Sequence, residues 1–186
     1  MLLLLFLGGI PGHAAAPPPP ERGAPEPVHR APENALKAAY LYNFTLFVDW
    51  PPEATNGSFL ICVLGTDPFG PTLPEILRGK TAGGRELRSA VVASREELPP
   101  CRVVYVPATD AARHRDALQS LLGQPVLTVG ETEDFLGAGG IIRLFVEGGK
   151  LRFDVNAEAA RRSRLKISAR LLELARGPQK GPGGGP

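Results

Sequence analysis

Residues that carry chemistry are scarce in this chain. It has two cysteines, three histidines, one tryptophan and one methionine among 186 residues. A zinc site draws several ligands from Cys and His, and this inventory does not supply them. His13 and His29 precede the folded part, and His114 sits between Arg113 and Arg115 on what reads as a solvated helix turn. No Gly-x-Ser-x-Gly elbow, phosphate-binding Walker loop or His-Glu-x-x-His helix occurs. The turn "GTDPFG" lacks the three-glycine dinucleotide fingerprint, and no basic residue follows it to meet a phosphate. No catalytic set, metal or cofactor is therefore expected. The formal net charge of +2 is too small to argue for nucleic acid.

The opening run "MLLLLFLGGIPGHAAA" is too short to span a bilayer and ends in small residues. It reads as a secretory signal peptide over 1–16, although no Lys or Arg precedes the apolar run. An uncleaved tether is the other reading. Residues 17–32 are dense in proline and have little apolar surface to bury, so they read as an extended linker. The Gly/Pro tail over 177–186 reads as disordered. The folded domain is then 33–176.

Leu36, Tyr40, Asn43, Phe44 and Phe47 recur at helical spacing, and Pro51 and Pro52 stop that helix. "SFLICVLG" is apolar at successive positions, as in a strand covered on both faces. "DPFGPTLPEILRG" reads as a helix with Asp67 as N-cap and Pro68 at its first position. "RELRSAVVA", "CRVVYVP" and "PVLTVG" read as further strands. "DAARHRDALQSLLG" reads as a helix from Asp110 to Gly123. Two alternating runs around Glu147, Gly148 and Gly149 predict a β-hairpin. Asn156 then caps one long helix that is apolar nearly all round except along Lys166, Arg170 and Glu173. The class is α/β: a mostly parallel sheet with helices on both faces and a C-terminal antiparallel hairpin.

Cys62 and Cys101 are too far apart for a redox pair of the Cys-x-x-Cys kind. In a secreted domain they suggest a structural disulfide, provided their strands are neighbours; in a reducing compartment they would be buried thiols. The aromatic stripe of the first helix reads either as core or as a docking face. The basic group Arg161, Arg162, Arg164, Lys166 and Arg170 reads chiefly as a solvated rim. Gly65, Thr66 and Asp67 mark a candidate ligand crevice at a strand's carboxyl end.

The segments "KAAYLYNFTLFVDWP", "ICVLGTDPFG", "CRVVYVP" and "PVLTVGETEDFLGAGGIIRLFVEGGKLRFDVNAEAARRSRLKISARLLELA" together resemble the YfiR-like family of bacterial periplasmic proteins. The resemblance covers about 34–176. It implies an α/β fold, a periplasmic location, dimerisation and no catalysis. The implied partner is the periplasmic region of an inner-membrane diguanylate cyclase, whose cyclic di-GMP output is held down. The resemblance also places Cys62 and Cys101 on the family's paired-cysteine positions. A second cysteine pair that some relatives carry near the hairpin is missing. Tyr40, Phe44, Trp50, Arg143, Arg152 and Arg170 are the expected partner-contact residues. A periplasmic small-ligand-binding sensor domain is the alternative class. The leader reading predicts that protein from the native host begins close to Ala16; N-terminal sequencing checks this, and an intact Met1 in a cytosolic fraction would refute it.

Overall fold

The computed structural model describes residues 30–55 and 57–175. The predicted signal segment, the linker up to residue 29 and the Gly/Pro tail lie outside the described residues. The last linker residues are helical: helix α1 runs Arg30–Leu46. Pro32 falls in its first turn, where a missing N–H breaks no helical bond. The face that α1 buries carries Ala38, Leu41, Phe44 and Thr45, whereas Leu36 is 45% exposed and Asn43 is exposed too. Asn43 therefore needs no buried partner. The helix stops ahead of the prolines because the chain forms a strand instead, β1 (Val48–Asp49).

A 3₁₀ turn at Pro52–Thr55 leads to β2 (Phe59–Leu64). Then come α2 (Thr72–Leu77), β3 (Thr81–Ala82), β4 (Arg85–Val92), β5 (Cys101–Val106), α3 (Arg115–Ser120), β6 (Leu127–Gly130), β7 (Ile142–Glu147) and β8 (Lys150–Val155). The chain ends in α4 (Ala157–Arg162), β9 (Lys166–Ile167) and α5 (Ala169–Leu174). The fold is mixed α/β, built on a seven-stranded sheet of order β3-β4-β2-β5-β6-β7-β8. Strands β4, β2, β5, β6 and β7 run parallel to one another. At the two edges β3 and β8 pair antiparallel, and β8 joins β7 with Glu147 opposite Lys150.

Both faces of this sheet are covered. Ile61, Val63, Val103 and Tyr105 point into one cluster with Leu41, Phe44, Leu73 and Leu77 from α1 and α2, together with Phe153 of the hairpin. Cys62, Leu64, Val104 and Val106 point into the other, with Ala117 and Leu121 from the α3 segment and Phe135. The even split follows from the strand's period of two: consecutive apolar residues must each find a separate core.

Three helix predictions are corrected. Helix α2 begins at Thr72, not Asp67, because Gly70 takes φ 50° immediately before Pro71, and the residue before a proline avoids the helical region. Asp67 instead accepts the Phe69 N–H at 2.8 Å, closing a local turn. Regular helix in the 110–123 stretch covers only Arg115–Ser120, and Asp110 does not cap it. The long C-terminal helix is broken at Ser163–Arg164. Arg164 has φ 56°, and among the described residues it alone has a positive φ without being glycine. That conformation costs about 1 kcal/mol for an L-residue. It lets the Leu165 N–H reach the Ala160 carbonyl at 3.0 Å, ending α4. The chain then pairs Ile167 with Val48, and Ser168 caps α5 by accepting the Leu171 N–H at 3.2 Å.

β5 lies beside β2, with a register irregularity between Leu60 and Ile61 that brings Cys101 level with Leu60. Cys62 and Cys101 form a disulfide with Cα atoms 5.8 Å apart across a sequence separation of 39. Both cysteines are fully buried. Closing a loop of this length contributes about 4 kcal/mol in the chain-entropy account. Replacing both cysteines by serine is expected to lower stability by about that amount, read from urea melts, with an unchanged circular dichroism spectrum. Thiol titration of denatured wild type is expected to find no free thiol.

Candidate functional site

Strand order reverses between β2 and β5: from β2 the chain goes first to β4 and then back across to β5. In open α/β sheets the carboxyl ends of such strands form the usual ligand crevice. Gly65, Thr66 and Asp67 follow β2 at that place.

The crevice is occupied by the chain itself. Gly65 has φ 96°, and a Cβ there would lie 2.8 Å from Asp110 Cγ and 2.9 Å from His114 Nε2. The Thr66 N–H donates to Asp110 Oδ2 at 3.1 Å, and the Gly65 N–H to the Val92 carbonyl at 2.9 Å. An anionic ligand would seek these same backbone donors. Asp110 is 4% exposed and also accepts the Thr109 hydroxyl at 3.0 Å. Burial alone would raise its pKa. The Thr66 N–H, the Thr109 hydroxyl and the nearby Arg113 charge outweigh burial and hold it below the ordinary carboxylate value. His114 is buried rather than solvated, and its Nε2 has no hydrogen-bond partner.

Beside this plug an ion network ties α1 to the sheet. Lys37 Nζ lies 2.7 Å from Glu33 and 2.5 Å from Glu131, just past β6. Glu131 also accepts the Tyr105 hydroxyl at 2.6 Å. Burial pulls the Lys37 pKa down, but Glu131 and Glu33 outweigh it and hold the ammonium above its ordinary value. Burial, then the Glu131 charge, push the Tyr105 phenol far upward, so it stays protonated. Asn34 completes the seal by donating to the Pro68 carbonyl at 2.8 Å. Nothing in the sequence marked Lys37, Glu131 or Asp110 as partners, because each pairing joins residues distant in the chain.

The predicted contact residues separate into core and surface. Phe44 is 1% exposed and stacks edge-on against Phe153 at 5.3 Å; it is a core residue, which corrects its docking role. Tyr40 is half-buried against Phe44 and Phe153. Trp50 lies beyond β1 rather than on α1; it packs edge-on to Phe59 at 4.8 Å, with its indole N–H buried and unpartnered. Arg143 is half-buried, paired with Asp154 at 2.8 Å and lying 4.6 Å over Phe145. Arg152 and Arg170 are exposed. Trp50 borders a surface cleft of about 460 Å³ with Arg161, Arg164 and Lys166.

Among the described residues no group of three or more His, Cys, Asp or Glu could hold a metal ion, and no helix is long and apolar enough to cross a membrane. What remains is an α/β domain whose crevice beside Gly65 is closed by its own Asp110 and His114, with Arg and apolar side chains on its outer surfaces. Residues 34–176 match the YfiR/HmsC-like family, and the chain belongs to it.

The depressed Asp110 pKa has a pH consequence. Its stabilisation is present above the unfolded carboxylate pKa of about 4 and is lost as pH falls through the lower folded value. Asp110→Asn is expected to destabilise the protein at neutral pH and to lose less stability than wild type between about pH 6 and pH 3. Urea midpoints across that range check it; parallel acid limbs for the two proteins would contradict the assignment.

Proposed function

We propose that the protein is a periplasmic, non-enzymatic regulator that binds the periplasmic region of an inner-membrane diguanylate cyclase and holds down its cyclic di-GMP output. Membership of the YfiR/HmsC-like family carries this reading. Two further features agree with it. The buried Cys62–Cys101 disulfide suits an oxidising compartment. The crevice beside Gly65 is taken up by Asp110 and His114, leaving little room for the small-ligand sensor alternative at Gly65, Thr66 and Asp67.

The contact surface in this proposal joins the half-buried Tyr40 and Trp50 to exposed Arg152 and Arg170, with Arg143 on the first strand of the hairpin. Val146, Leu172 and Leu174 add exposed apolar area at 52, 40 and 61% exposure. Arginine and aromatic residues of this kind anchor protein interfaces. The same surface is available for a homodimer. Paired Arg→Glu substitutions at Arg152 and Arg170 leave the core untouched, and each reversal at a contact is expected to weaken binding by at least tenfold.

Deletion of the gene is expected to raise cellular cyclic di-GMP and biofilm mass in a host expressing the cyclase. Wild type should restore both, and the doubly reversed variant should not despite equal periplasmic abundance. Unchanged nucleotide levels on deletion would sink the regulatory reading.

A further inference from the structure

At the opposite, amino-terminal end of the sheet, charge is left unbalanced. Arg85 starts β4 and Arg102 sits near the start of β5. Both guanidiniums converge on one acceptor, the Ala54 carbonyl in the turn after β1, with N···O distances of 3.5 Å from Arg85 and 2.5 Å from Arg102. Arg102 also donates to the Cys101 carbonyl at 3.2 Å. Among the described residues no carboxylate lies within 4.0 Å of either guanidinium. Arg85 lies 4.8 Å from the Phe59 ring centroid, and its Nε is buried without a hydrogen-bond partner. Burial and then the Arg102 charge hold the Arg85 pKa below its ordinary value. Two like charges brought together, one of them with an unused N–H, favour an anion nearby.

A cavity of about 370 Å³ opens beside this pair. Arg102 and Arg95 line it, with Ser120 and Gln124 as neutral polar groups and Leu98 and Val126 on the apolar side. The one carboxylate on its wall, Glu53, is drawn to Arg164 in a close ion pair. Arg95 is exposed at the mouth, where Glu96 is its charged neighbour.

We propose that this cavity is a binding site for a small molecule bearing an oxyanion, a phosphate ester or a carboxylate. The oxyanion sits on Arg102 and Arg95 with the Arg85 charge behind it, and the apolar remainder lies against Leu98 and Val126. Planar guanidiniums match the two-oxygen geometry of such groups. The site is independent of the regulatory reading, since it uses the end of the sheet away from the Thr66 crevice and none of the proposed contact residues.

Titration of the full chain with inorganic phosphate, against sodium chloride of matched ionic strength, tests it. The expected result is a saturable rise in Tm with phosphate only. Arg102→Gln is expected to weaken the apparent phosphate affinity at least tenfold. Arg95→Gln, at the exposed mouth, is expected to weaken it by a smaller factor in a protein that folds normally. Arg152→Gln on the distant hairpin should leave the titration unchanged. Equal shifts in phosphate and chloride would overturn the proposal. So would a phosphate response undiminished in Arg95→Gln and Arg102→Gln. If Arg102→Gln fails to fold, Arg95→Gln decides alone, and an unaltered affinity there refutes the site. Phosphate and small aromatic carboxylates titrated in parallel tell the two oxyanion sources apart.

Discussion

β2 is paired on both edges, and every residue from Ile61 to Leu64 is buried. A strand in that position has to be covered from both sides, since either bare face would leave a row of apolar side chains in water. Much of the remaining architecture follows from that demand. Helices α1 and α2 close one face with Leu41, Phe44, Leu73 and Leu77. The α3 segment and Phe135 close the other, with the disulfide among them. The staple therefore joins two strands that are already neighbours, and it lies in the cluster that has less helix to cover it. The hairpin extends the first cluster through Phe153, so the aromatic rings of α1 rest on the antiparallel edge and not only on the parallel centre.

The same layering closes the crevice beside Gly65, where the strand order reverses. Because α1 lies across that face, Lys37 comes within reach of Glu131, and a lysine held there at 12% side-chain exposure has to be neutralised. Glu131 does this and takes the Tyr105 hydroxyl as well. Asp110, on the far side of Gly65, accepts the Thr66 N–H that an anionic ligand would otherwise take. The closed crevice and the arginine pair at the amino end are thus opposite in character. At one end the charges are matched internally, and at the other they are not.

The sheet was legible in the sequence because a buried parallel strand writes a continuous apolar run, and "FLICVL", "CRVVYV" and "LTVG" are such runs. The helices were read too long for a common reason. Periodicity registers apolar spacing but not where a backbone turn interrupts it, so Gly70 and Arg164, both at positive φ, passed unseen. For Arg164 no composition signal existed, since glycine is the residue expected at a helix end of that geometry. Phe44 was visible as part of a stripe, but only the position of Phe153 settles that Phe44 faces inward while Leu36 and Asn43 of the same stripe face out. Asp110 and His114 looked like a cap and a surface residue because their partners, Thr66 and Gly65, come from another part of the chain. The Arg85–Arg102 pair was hidden for the same reason, since its members become neighbours only when β4, β2 and β5 align.

The break at Arg164 also changes what the outer surface is. A single long helix after Asn156 would have carried Arg170 away from the end of α1. With the break, β9 pairs Ile167 with Val48 and Lys166 with Asp49, and the Ser168 N–H donates to the Phe47 carbonyl at 2.9 Å. Trp50 and Lys166 then border one cleft, and Arg170 follows one turn later at the start of α5. Two segments more than a hundred residues apart in the chain thereby form one patch, held by a two-stranded ribbon outside the main sheet. That ribbon has few bonds, so the relative placement of the two segments rests on side-chain packing, with Leu165 and Leu171 seated in the same cluster as Phe44. A conformation strained at one arginine is kept because it seats those two leucines. The composite Trp50–Lys166 surface exists only as long as they stay there.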